Sequence, residues 1–233
     1  MSKADVVIKI FVYLIIFSCS GAGYFLLAQK LAPKPDPIAF AQEMLINQNG
    51  HIKRALFTPD EDIKHVLIGL INAEKKSICV AIFMFTEPEI TQALIDAHNR
   101  GVLLEVVADR SCAQTQWSKL QLLAQVGVPI YIWPQALEAT RAIMHNKFVI
   151  FSSTLDDRTL LWTGSYNFTK AASLSNQENA LIIEDDDLAL TYLAQFEHLK
   201  EVSELVGANK LPVPDKKRKN RSNKPHEMAF VQA

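Results

Sequence analysis

Apolar and polar positions along this chain follow two rhythms. Ile63, Val66, Leu67, Leu70 and Ile71 recur at helical spacing, which predicts a helix over 63–74 with Asp60 or Asp62 as its cap. The unbroken apolar run over 78–85 reads as a strand buried on both faces. An amphipathic helix follows over 87–100, stopped by Gly101. A second strand is expected over 102–108, a helix over 115–125 ended by Gly127, and a third strand over 128–133. This alternation predicts an α/β fold, a mixed, largely parallel β-sheet flanked by helices. Further on, the apolar stretches 148–151 and 160–163 bracket the polar stretch 152–159, the pattern of a hairpin. Residues 187–206 read as a closing helix, and 38–50 as a short early one.

The two ends have different compositions. Ile10 to Ala28 is a run of 19 residues without a charge, close to the roughly 20 residues that span a bilayer. It predicts an N-terminal transmembrane helix anchoring the protein to a cell or organelle membrane. The small residues Ser20, Gly21 and Ala22 keep a cleaved signal peptide open, with a secreted or periplasmic product. Lys3 and Lys9 before the run are matched by Lys30 and Lys34 after it, so charge does not orient it. Pro33, Pro35 and Pro37 mark a stiff spacer. The layout expected is a membrane segment over 1–30, a linker over 31–51, a catalytic domain over 52–208 and a disordered tail over 209–233. The tail carries Lys216, Lys217, Arg218, Lys219, Arg221 and Lys224, a charge run suited to nucleic acid, to an anionic leaflet, or to solvent alone.

Elsewhere charge is even. With 24 basic and 25 acidic residues, nothing global favours a polyanionic partner. Cysteines at 19, 79 and 112 make neither a disulfide framework nor a metal pair, and Cys79 sits in an apolar run as core. The histidines at 51, 65, 98, 198 and 226 show no ligand spacing. No cofactor and no metal are expected.

The chemistry lies in HNKFVIF, from His145, and TGSYNFTKAA, from Thr163. His145 and Lys147 are two apart on an expected strand and share a face. Gly164 and Ser165 turn the chain, and Asn167 returns to the same spot. A nucleophile, a cation and two neutral donors then converge on one small anion, which is equipment for phosphodiester chemistry.

This pattern resembles the HxKxxxxD and G-[ST]-x-N signature of the phospholipase D superfamily, and its small single-motif members in particular, among them nucleases and lipid hydrolases. Residues 75–111 resemble the first βαβ unit of those enzymes and 175–183 the segment after the second motif; the likeness spans roughly 52 to 205. The resemblance implies an α-β-α sandwich and a metal-independent phosphodiesterase. It makes His145 the nucleophile that forms a phosphohistidine, Lys147 the balance for the phosphate charge, and Ser165 and Asn167 donors to its oxygens. It makes Glu178 the carboxylate that hydrogen-bonds His145. Because a single motif lacks the second histidine, it implies a homodimer. The substrate, nucleic acid or phospholipid, stays open. In one respect the chain departs from the signature: Ser152 stands where the motif has Asp. Asp156 and Asp157 lie in the following hairpin as turn residues, and a degenerate, non-catalytic membrane-bound scaffold is the alternative the departure raises.

Overall fold

A computed structural model describes residues 35–46, 50–134 and 142–207. The predicted N-terminal membrane segment and the basic tail lie outside the described residues. Among those described, no helix is long and apolar enough to cross a membrane.

From Pro37 onward the described residues belong to one compact unit. Its elements are α1 (Pro37–Leu45), β1 (Lys53–Phe57), α2 (Ile63–Ala73), β2 (Ser77–Ile82), α3 (Pro88–Asn99) and β3 (Leu103–Asp109). After them come α4 (Arg110–Gln114), α5 (Leu120–Gln125), β4 (Ile130–Trp133), β5 (Lys147–Thr154) and β6 (Arg158–Gly164). The chain continues through α6 (Lys170–Leu174), β7 (Asn179–Ile183), α7 (Asp186–Glu201) and β8 (Glu204–Val206). The unit therefore starts earlier than the expected boundary at 52: α1 is part of the body, with Ala41 and Leu45 buried, and not of a linker.

The strands make one sheet in the order β1-β7-β6-β5-β2-β3-β4-β8. The expected largely parallel sheet needs correction. Only β2–β3 and β3–β4 run parallel; the other five neighbouring pairs are antiparallel. The helical crossovers α3 and α4–α5 make the parallel part, since parallel neighbours need a long connection. On the other side, β5 and β6 join through a tight hairpin, and β7 and β1 add antiparallel strands. The hairpin turn holds Leu155, Asp156 and Asp157 at φ of 33°, 66° and 65°, the left-handed region that Asp tolerates well. Asp157 accepts from Ser153 Oγ at 2.9 Å and from Lys75 Nζ at 3.0 Å.

Side-chain alternation sorts the strands between two layers. Ile78, Val80 and Ile82 of β2, with Val149 and Phe151 of β5, enter the main core under α1, α2 and α3. Ala81, Phe148, Ile150 and Leu161 enter a smaller core on the opposite face, closed by Ala189, Phe196 and Leu199 of α7. Asp62 caps α2 through its carboxylate, which accepts from His65 N at 3.1 Å. Helix α2 is buried almost all round, because α1 covers the flank that the sheet does not.

Several boundaries differ from expectation. Residues 115–119 are not helical; of the helix predicted over 115–125 only Leu120–Gln125 forms, as α5, and α4 is a separate helix before it. The expected closing helix ends at Glu201, and 204–206 turn back as β8 to pair with β4. Strand β2 ends at Ile82, short of the predicted Phe85, and Phe83 to Phe85 leave the ladder.

Gly69 is where α1 meets α2. A Cβ there would collide with the Pro37 carbonyl and the Ala41 Cβ. Gly69→Ala is expected to lower stability by about 1–3 kcal/mol, despite the better helix propensity of alanine. Thermal unfolding measures this, and an unchanged Tm would show that α1 does not seal the core.

Candidate active site

The site is built at one edge of the sheet. Ile82, the last residue of β2, pairs with Lys147, the first of β5. The antiparallel pairing therefore puts the exit of β2 beside the entrance of β5. The ends of β6 and β1 and the start of β7 reach the same edge, since Gly164 pairs with Ala180 and Phe57 with Asn179. The ends of β3 and β4 complete it through the Asp109–Trp133 pair.

His145 is exposed and Lys147 buried. Lys147 Nζ lies 3.1 Å from His145 Nδ1 and donates to the His145 carbonyl at 2.7 Å. Phe83 backs both: its ring centroid is 4.5 Å from that of His145 and 5.1 Å from Lys147 Nζ. Burial pushes the Lys147 ammonium below the usual lysine range, partly opposed by the negative charge of Glu178. An ammonium kept short of water holds its charge most comfortably when an anion arrives, which is what a phosphate does.

Asn167 and Ser165 each have one end occupied. Asn167 Oδ1 accepts from Met84 N at 3.1 Å. A backbone N–H can only donate, so this bond fixes the amide and leaves Nδ2 as the available donor. Ser165 Oγ accepts from Asn179 N at 3.0 Å, which leaves its hydroxyl proton to donate. Asn179 also grips the turn from the other side, its carbonyl accepting from Ser165 N and Tyr166 N at 3.1 and 3.2 Å. Gly164 makes room for that grip, since a Cβ there would strike the Asn179 carbonyl and side chain.

The expected bond from Glu178 to His145 is not made. Glu178 accepts instead from Asn176 Nδ2 at 2.9 Å, and its backbone pairs with Thr58. Its electrostatic effect on Lys147 keeps it part of the site's charge balance. Lys147 is the side chain that meets the imidazole, at Nδ1.

Sequence reasoning missed Asp109. This buried residue ends β3, and its carboxylate accepts from Met144 N at 2.9 Å and Ser111 N at 2.7 Å. It pins the segment before His145 to the sheet. An Asp at the C-terminal end of a buried strand, where ligand sites in α/β sheets gather, was the available signal.

Ser152 is far from all of this. It lies five residues beyond Lys147 along β5, about 17 Å at roughly 3.3 Å per residue. There it meets Glu74, a buried carboxylate after α2. Glu74 Oε1 accepts from Lys76 N at 2.8 Å, Ser77 N at 3.0 Å and Ser153 N at 3.0 Å. Ser152 Oγ bonds Ser77 Oγ at 2.8 Å and reaches Glu74 Oε1 at 3.4 Å. At this position a carboxylate is present, but it comes from the neighbouring element. Among the described residues no group of three or more His, Cys, Asp or Glu side chains could hold a metal ion.

An α/β domain with a histidine in the loop just before β5 and a buried lysine at its first residue, faced by a Gly-Ser-Tyr-Asn turn, defines a class that sequence and structure comparisons also find. The family profile described as cardiolipin synthase, PLD-like domain, matches residues 67–200, more than half of the chain. The chain belongs to the phospholipase D-like family. It is 34% identical over 137 residues to a phospholipase D of Rickettsia bellii, covering 59% of this chain and 63% of that one. It is 32% identical over 135 residues to the human mitochondrial cardiolipin hydrolase, covering 58% of this chain and 50% of that one. Its structure resembles the phospholipase D family member Nuc from Salmonella typhimurium, with a TM-score of 0.59 and 26% identity, covering 66% of this chain and 97% of that one.

Moving the carboxylate back to the motif position tests the Glu74 arrangement. Glu74→Ala is expected to cost about 1–3 kcal/mol, because it strands buried backbone donors. Ser152→Asp alone is expected to destabilise as well, by facing two carboxylates. The double substitution should recover most of the Glu74→Ala loss in thermal unfolding; strictly additive losses would contradict the exchange.

Proposed function

We propose that this protein is a metal-independent phosphodiesterase that hydrolyses nucleic acid or a phospholipid through a phosphohistidine on His145. The observation that carries the reading is the His145–Lys147 contact against Phe83, with the free donors of Asn167 and Ser165 on the facing turn. The relatives named phospholipase D and cardiolipin hydrolase support the same chemistry.

In this reading the phosphodiester enters between the two motifs. Its non-bridging oxygens draw the Lys147 ammonium away from Nδ1 and accept from Asn167 Nδ2 and Ser165 Oγ, where charge develops. With Nδ1 freed, the imidazole proton exchanges through solvent from Nε2 to Nδ1, which bares the Nε2 lone pair. The Nε2 lone pair attacks phosphorus, the P–N bond forms and the P–O bond to the leaving group breaks. Water then displaces the histidine, breaking P–N and leaving a phosphomonoester. The leaving oxygen needs a proton, which requires a second acid. In a homodimer the partner's His145 supplies it.

The second face of the sheet supports such a dimer. Helix α7 packs over β2 to β6 but leaves the β1–β7 end less covered. Phe57 is 56% and Leu190 62% exposed, and Ala55, Leu181 and Ile183 on the same face stay at least partly accessible. This strip, which also carries the exposed Lys53 and Asn179, runs to the edge of the candidate site at Phe57 and suits a self-complementary interface. The uncharged N-terminal segment, read as a membrane anchor, favours a phospholipid. Against the scaffold reading stands the position of Ser152, which is structural and already faces a carboxylate.

The test uses the full chain in detergent with EDTA, and His145→Asn as control. Single-stranded DNA, RNA, duplex DNA, and vesicles of cardiolipin or phosphatidylcholine are offered in parallel. Hydrolysis of one class, lost in the variant and accompanied by acid-labile phosphate on His145, is the expected outcome. Full inhibition by EDTA would sink the metal-free mechanism, and no turnover of any substrate would favour the scaffold. Mixing wild-type with His145→Ala subunits should give hybrids well below half of wild-type activity. Hybrids at half activity would show that each subunit works alone.

A further inference from the structure

We propose that Phe83 is a positioning residue of this site: its ring holds the Lys147 ammonium and the His145 imidazole side by side, in the place where a buried lysine would otherwise need a carboxylate. The inference rests on the phosphodiesterase reading above and adds to it a residue that belongs to neither motif.

Phe83 directly follows β2, and contacts from both motifs bracket it. On one side Ile82 is paired with Lys147. On the other, Met84 N donates to Asn167 Oδ1 at 3.1 Å. The backbone of Phe83 is thus pinned between the strand of the first motif and the turn of the second. Its side chain is half-buried and belongs to neither apolar core, so core packing does not account for a phenylalanine here. What the ring meets is the site. Its centroid is 4.5 Å from that of His145, with the planes inclined at 54°. Lys147 Nζ lies 5.1 Å from the same centroid, inside the roughly 6 Å reach of a cation–π contact.

Lys147 needs such a neighbour. Lys64 pairs with Glu87 and Glu89, Lys75 with Asp157, and Lys200 with Glu105 and Glu197. Lys147 is buried, yet it makes no ion pair among the described residues. Its nitrogen meets the His145 carbonyl, His145 Nδ1 and the ring. The titratable groups facing it are His145 on its own segment and Glu178 before β7, whose charge acts from a distance. Glu87, on the segment that follows Phe83, is taken by Lys64. A carboxylate against Lys147 would compete with an incoming phosphate and repel it. The negative face of a benzene ring favours the ammonium without either penalty. Against the imidazole, the same ring restricts rotation, so Nδ1 stays on Lys147 and Nε2 is left for phosphorus.

Two substitutions separate the ring from mere bulk: Phe83→Leu keeps the position apolar and removes the ring, and Phe83→Tyr keeps the ring. The full chain is prepared in detergent with its lysines isotope-labelled at Cε, and the Lys147 resonance is assigned with Lys147→Arg. Burial already disfavours the Lys147 ammonium, and without the ring it should lose its proton at lower pH still. Its NMR titration midpoint should therefore fall by about half a pH unit or more in Phe83→Leu and stay with the wild type in Phe83→Tyr. Turnover of bis(p-nitrophenyl) phosphate, a phosphodiester that is neither nucleic acid nor lipid, gives the second readout. In Phe83→Leu kcat should fall about tenfold with KM within about threefold, and the alkaline limb of the pH profile should move to lower pH. Phe83→Tyr should retain most of the rate. A midpoint unmoved in Phe83→Leu, or a Phe83→Tyr that shifts or loses rate as far as Phe83→Leu, overturns the proposal. The titration needs no substrate, so a wild-type protein that turns over nothing counts against the phosphodiesterase reading, while the midpoints still decide the role of Phe83.

Discussion

The antiparallel pairing of β2 with β5 is the constraint on which the rest of this structure depends. It is the seam between the parallel βαβ portion and the antiparallel strands, and its register sets Ile82 against Lys147. Alternation fixes that register: Val149 and Phe151 face the main core while Phe148 and Ile150 face the smaller one. A slip of one residue would send each set to the wrong layer and carry Lys147 with it. Phe83, which leaves β2 directly after Ile82, backs His145 and Lys147 for the same reason. The His145–Lys147 pair is placed by the packing of two apolar layers, and the polar side chains only finish the arrangement.

Around that seam, backbone groups hold the side chains of the candidate site and leave their other ends available. Met84 N takes Asn167 Oδ1, Asn179 N takes Ser165 Oγ, and Asp109 takes Met144 N. Each bond removes a rotational freedom before substrate arrives, which is how preorganised sites limit the entropy cost of ordering. Lys147 is the costly member: it is buried, and burial disfavours its charge. Its position makes sense only with respect to an incoming anion.

Much of this was legible in the sequence. The run 78–85 announced β2, the 63–71 periodicity announced α2, and the spacing of His145, Lys147, Ser165 and Asn167 picked out side chains that gather at one edge of the sheet. The sheet's direction was not legible, because periodicity within a strand says nothing about which neighbour it pairs with. Strand β8 is three residues long, with only Val206 buried, so Glu204 and Leu205 read as the tail of a helix. Glu74 was hidden for a different reason. A Glu before Lys75 and Lys76 looks like a solvated charge cluster, and its burial follows from where β5 ends, a long-range fact. Asp109 sits outside both motifs, and only its contact with Met144 ties it to the segment that carries His145.

The geometry of β5 also bears on how relatives of this chain are found. One end of the strand carries reactive groups whose identity chemistry dictates. The other needs only some negative oxygen near the backbone N–H groups of Ser77 and Ser153, and Glu74 provides it from a different stretch of chain. A linear pattern that insists on Asp five places after the lysine passes over proteins like this one. A search written as a spatial template, two reactive residues at one strand end and any carboxylate at the other, retrieves them.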